Sequence, residues 1–122
     1  MISWVLKDCL AIGEWGDEMV WEDTLVTVDA RLFFDEKMIP MKEDIDAIDA
    51  VVRLIVHNLL DEHRKVIVFC DAGMDRSPYI VAKVLMCLLG DIDTLADAYA
   101  YIRKVRPAIC EHYEWEAIGD KR

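Results

Sequence analysis

Three side chains set close together in this chain could do chemistry jointly. Cys70, Arg76 and Ser77 fall within the stretch 66–78, VIVFCDAGMDRSP. A cysteine is a nucleophile once ionised, and the N-terminus of a helix favours the thiolate. An arginine at the start of that helix presents a planar fork that can grip two oxygens of a phosphate-like anion. Between them, Asp71, Ala72, Gly73, Met74 and Asp75 are read as a tight turn. Backbone N–H groups in such a turn point into one small space suited to an oxyanion. These five positions and Arg76 are the expected substrate-binding residues. Nucleophile and oxyanion cradle would thus share one loop.

Each of these residues also has an ordinary reading. A cysteine closing a buried strand is usually a small core hydrophobe, and a serine at a helix start is a capping residue. The combination outweighs them. An arginine at a helix N-terminus opposes the helix dipole, and the placement is favourable only with an anion opposite it. Gly73 is expected to supply a backbone conformation that a side chain would block.

The elements that must position this loop are legible on both sides. Val66 to Phe69 is a buried apolar run of strand length. Pro78 suits the first turn of a helix, where no N–H is missed. Tyr79 to Leu89 is apolar almost all round, which predicts a central, buried helix with Cys87 inside it and Gly90 at its end. Met41 to His63 is the clearest helix. Ile45, Ile48, Val52, Ile55 and Leu59 make one apolar stripe, with Glu43, Asp44 and Asp46 at its start and His63, Arg64 and Lys65 at its end. Further upstream, Met1 to Gly16 reads as two short strands in a hairpin closed at Gly13. Asp17 to Asp23 reads as an acidic turn or short helix carrying Trp21. Leu25, Val26 and Val28 form a strand ending near Asp29. Leu32, Phe33 and Phe34 are an apolar run before an exposed Asp35-Glu36-Lys37 loop. Downstream, Asp91 or Asp93 is expected to cap a helix from Leu95 to Val105 that stops before Pro107. His112 to Ile118 could add a last short helix. Strands alternating with helices predict an α/β domain with a mostly parallel central sheet flanked by helices.

Whole-chain properties narrow the function. At 122 residues the chain has the size of one domain, spanning 1–122. The net charge of −10 argues against a nucleic-acid surface, which needs a basic stripe. No apolar run is long enough to span a bilayer, and no signal-peptide pattern opens the sequence. The cysteines at 9, 70, 87 and 110 contain no CxxC pair, so neither a metal site nor a disulfide framework is expected. A reducing cytoplasm is the natural compartment, and a nucleophilic cysteine would need it. The sequence leaves the oligomeric state open.

Cys70-x5-Arg76, with Gly73 third after the cysteine and Ser77 directly after the arginine, resembles the signature loop of the cysteine-based protein phosphatases. Its place past mid-chain, after a long helix, resembles the dual-specificity branch. Ile12-Gly13 and Arg106-Pro107 also fit that pattern. The resemblance implies a phosphatase fold and hydrolysis of phosphotyrosine, with phosphoserine and phosphothreonine as further substrates. The substrate would be a phosphorylated protein or a small phosphomonoester, with no cofactor and no metal. It implies Cys70 as nucleophile, Arg76 as phosphate clamp, and Ser77 as the hydroxyl that steadies the departing thiolate. The general acid is expected on a loop ahead of the long helix. Asp35 is preferred, and Asp44 is the rival.

Phe69 stands where the family has histidine, which implies slower chemistry or a higher thiol pKa. Asp71 and Asp75 beside an anion site act in the same direction and disfavour highly charged substrates such as phosphoinositides and RNA 5′-triphosphates. These departures motivate a second reading, a phosphate-binding module with little turnover. A third, arsenate reduction or sulfur transfer, ranks low: resolving cysteines are wanted, Cys87 is expected inside a buried helix, and Cys110 is distant in sequence.

Overall fold

The computed structural model describes residues 2–14, 25–32, 42–70 and 76–111. Four strands form one sheet: β1 (Ser3–Leu6), β2 (Leu10–Glu14), β3 (Leu25–Asp29) and β4 (Lys65–Cys70), in the order β1-β2-β4-β3. β1 and β2 are antiparallel, whereas β4 runs parallel to both β2 and β3. The sheet is therefore mixed and mostly parallel, as the alternation of elements predicts. A short 3-10 turn, Ala30–Leu32, follows β3. The helices are α1 (Lys42–Leu60), α2 (Arg76–Leu88) and α3 (Leu95–Arg103).

The N-terminal hairpin is present, its reversal made by Lys7, Asp8 and Cys9, with Asp8 in the left-handed region at φ 58°. Gly13 does not close it. Gly13 pairs with Phe69 of β4, so β2 continues to Glu14, whose partner is Cys70. β4 is buried from Val66 through Cys70. Its residues point alternately to the two faces of the sheet, so both faces are covered at this strand, as is usual for a strand with parallel neighbours on both sides.

The apolar stripe of α1 faces the core. Ile48, Val52 and Ile55 are 1%, 3% and 1% exposed. Burying side chains of this size contributes about 1.5–3 kcal/mol each. The helix ends three residues earlier than its pattern suggests. The N–H groups of Asp61 and Glu62 both bond the carbonyl of His57, and His63 turns left-handed at φ 52°. The basic group His63, Arg64 and Lys65 thus lies beyond the helix end, and Lys65 opens β4.

α2 is buried continuously from Arg76 to Leu85. It carries Lys83, only 4% exposed, whose ammonium donates to Asp49 of α1 at 2.9 Å. The far end of α2 departs from the expectation: Cys87 is exposed, because the last turn emerges from the core. α3 starts at Thr94 rather than at either aspartate. The Thr94 hydroxyl accepts the N–H of Asp97 at 3.2 Å, and the helix stops at Arg103. The acidic stretch Asp17 to Asp23, the segment from Phe33 to Pro40 and the proposed helix His112 to Ile118 lie outside the described residues. Among the described residues, no helix is long and apolar enough to cross a membrane.

Candidate active site

The carboxyl ends of β2, β4 and β3 lie side by side, because Glu14 pairs with Cys70 and Asp29 with Phe69. In parallel α/β sheets this edge is where ligands bind. β4 delivers Cys70 to the edge, on the same face of the sheet as Val66 and Val68, where α2 packs. α2 begins at Arg76 and brings Ser77 beneath the sulfur. The Cys70 Sγ and Ser77 Oγ are 3.2 Å apart, with the two residues 2% and 0% exposed. A hydroxyl at that distance stabilises a thiolate by donating to it.

Arg76 is 8% exposed, in the first turn of α2. Its positive charge reaches Asp29 at the end of β3. Asp29 is gripped by Arg31. The Arg31 backbone N–H and Nε donate to Oδ1 at 3.0 and 2.9 Å, and Nη2 donates to Oδ2 at 2.9 Å. The Arg31 side-chain hydrogen bonds hold the Asp29 carboxyl below its ordinary pKa. Burial works against this, while the Arg31 backbone bond and the charges of Arg31 and Arg76 add to it. The guanidinium of Arg31 also sits 6.0 Å from the centre of the Phe69 ring, within reach of a cation–π contact. Two arginines thus bracket the end of β4.

A second buried arginine lies on the other flank. Arg106, 8% exposed, donates through Nη1 to Ser3 Oγ at 2.9 Å and through Nη2 to Glu14 Oε1 at 3.1 Å. It ties the segment after α3 to β1 and β2.

Of the residues expected to form the site, Cys70, Arg76 and Ser77 are brought together by β4 and α2. Asp71, Ala72, Gly73, Met74 and Asp75 lie outside the described residues, as does Asp35. Asp44, the rival acid, is in the first turn of α1 and half-buried. Asp29, Arg31 and Glu14 were missed as site neighbours. The signal for Asp29 was present in its position: a carboxylate closing a strand parallel to the one that carries the cysteine.

The sequence matches the family model "Dual specificity phosphatase, catalytic domain" over residues 29–117. Solved structures share the fold at low identity. A leucine rich repeat and phosphatase domain containing protein from Entamoeba histolytica superposes with a TM-score of 0.73 at 11% identity, covering 98% of this chain and 90% of that one. The Cydia pomonella PTP-2 phosphatase gives 0.70 at 14% identity, covering 98% and 88%. A human tyrosine phosphatase-like serine/threonine/tyrosine-interacting protein gives 0.70 at 16% identity, covering 98% and 93%. No curated protein sequence matches the chain at a significant level. The family match covers well over half of the chain, includes the cysteine loop, and agrees with a mostly parallel sheet ending at Cys70: the protein belongs to the dual-specificity phosphatase catalytic-domain family.

Proposed function

We propose that this protein is a cysteine-dependent phosphatase that hydrolyses phosphotyrosine, and phosphoserine or phosphothreonine where the pocket admits them, through a phosphocysteine intermediate. The observation that carries the reading is the buried Cys70 sulfur 3.2 Å from the Ser77 hydroxyl, at the start of the helix that Arg76 opens. The Cys70 thiolate attacks phosphorus in line with the ester oxygen. Arg76 and the amides of residues 71–75 hold the equatorial oxygens as charge spreads over them. Asp35 gives its proton to the leaving oxygen, with Asp44 as the alternative donor. A water activated by the same carboxylate then attacks the phosphocysteine, and the sulfur leaves as a thiolate steadied by Ser77. The reaction calls on no metal or organic cofactor.

Turnover of p-nitrophenyl phosphate at mildly acidic pH tests this. Cys70→Ser is expected to abolish it, and Asp35→Ala to lower it by about 10²-fold or more. A rate unchanged in Asp35→Ala but lowered in Asp44→Ala moves the acid to Asp44. Full activity in Cys70→Ser ends the reading.

Phe69 supports a second reading, a phosphate-binding module with little turnover. The ring gives the site no titratable group directly before the cysteine, and it is buried, at 7% exposure. One structural neighbour is itself named as a phosphatase-like interacting protein. Phosphate binding that Arg76→Ala abolishes, together with no turnover in the native chain, would favour this reading.

A further inference from the structure

Glu14 is the residue directly opposite Cys70 in the parallel pairing of β2 with β4. Paired residues in a sheet project their side chains to the same face. The Glu14 side chain, 44% exposed, therefore leaves β2 on the same face, and at the same level of the sheet, as the Cys70 side chain leaves β4, the face where α2 packs. Arg106 lies over that same face. It bonds Glu14 at 3.1 Å and also Ser3, whose strand partner Ile12 is two residues before Glu14. The position of Arg106 is fixed further by its own N–H, which bonds the carbonyl of Ile102 in α3 at 3.0 Å. A lone carboxylate in this place would raise the thiol pKa and repel a phosphate.

We propose that Glu14 and Arg106 form a charge-setting pair for Cys70, in which Arg106 neutralises the carboxylate next to the sulfur and so preserves both the thiolate and the affinity for an oxyanion. Arg106 is then a positioning residue that acts through Glu14. Other charges at this sheet edge are Arg76 from α2, Asp29 from β3 and Arg31 from the turn after it, and the half-buried Asp44 in the first turn of α1 is the alternative acid named above. The surface that α1 turns to the core is made of Ile48, Val51, Val52 and Ile55, and its Asp49 is engaged by Lys83. This inference rests on Cys70 being an ionisable nucleophile, as proposed above.

The test is the pH dependence of Cys70 alkylation by iodoacetamide in the full chain, followed at the Cys70 peptide because Cys9, Cys87 and Cys110 are exposed. Inhibition by inorganic phosphate is read alongside. Arg106→Met is expected to raise the apparent thiol pKa by about half a unit or more and to weaken phosphate inhibition about threefold. Glu14→Gln added to Arg106→Met should return both toward the native values, which a purely structural role for Arg106 would not produce. Arg106→Lys, which keeps the charge, should retain the native profile. Should Arg106→Met not fold, Glu14→Gln alone decides, with an expected downward shift of about half a unit. An alkylation profile identical in all variants, or a shift that Glu14→Gln fails to reverse, overturns the proposal. Alkylation requires no turnover, so an unchanged profile with intact turnover sinks this pair alone. Turnover that survives Cys70→Ser sinks the catalytic reading instead.

Discussion

Asp29 accepts three hydrogen bonds from Arg31, one from its backbone and two from its guanidinium, all within 3.0 Å. The arrangement fixes a cation at the sheet edge that carries Cys70, and its pH dependence is predictable. Held below its ordinary value of 3.8 by Arg31, the Asp29 carboxylate stabilises the fold above that pH. The contribution fades as pH falls through the lowered pKa, because the unfolded chain then binds the proton more readily. Thermal melts of the native chain and Asp29→Asn across about pH 6 to 2 should show a gap at the upper end that closes toward the lower. A gap that stays constant to the bottom of the range contradicts the assignment.

Ser77 is expected to matter most after the first chemical step. Ser77→Ala removes the hydroxyl 3.2 Å from the sulfur. A hydrogen bond to a charged group is worth about 1.5–3 kcal/mol, so kcat should fall by about tenfold or more. If hydrolysis of the phosphocysteine becomes limiting, rapid mixing with p-nitrophenyl phosphate will give a burst of p-nitrophenol followed by a slow steady state. A slower variant with no burst would place the loss in phosphoryl transfer to Cys70 instead.

Neighbouring residues of α1 should differ sharply in their effect on stability. Ile55 is 1% exposed and Leu54 is 54% exposed. Ile55→Ala is expected to cost about 2–5 kcal/mol. Leu54→Ala should stay within about 0.5 kcal/mol of the native chain. Urea denaturation gives both values, with the midpoint falling and the slope unchanged for Ile55→Ala.

The strand that ends at Cys70 and the helix that opens at Arg76 were legible because their hydrophobic patterns directly flank those two residues in sequence. The core stripe of α1 was legible for the same reason: periodicity is a local signal. What escaped was set by pairing across the chain. Arg106 and Ser3 are 103 positions apart, and nothing near either one announces the other. Glu14 becomes a neighbour of Cys70 only once the register of β2 on β4 is fixed. The exposure of Cys87 was misjudged because an apolar helix that leaves the core reads the same as one that stays in it. Thr94 was passed over as a cap because Asp91 and Asp93 are equally good capping types, and only the course of the backbone chooses among them.

β4 is the last strand of the described sheet in chain order, yet it occupies an interior place between β2 and β3. Its pairing with β2 joins Leu10 to Val66 across most of the preceding chain. Such long closures form late and slowly. An unfinished or partly opened molecule would therefore hold its cysteine outside the sheet, away from Ser77 and the start of α2. Maturation of activity should coincide with insertion of this strand, so recovery of reactivity at Cys70 during refolding would report completion of the whole sheet.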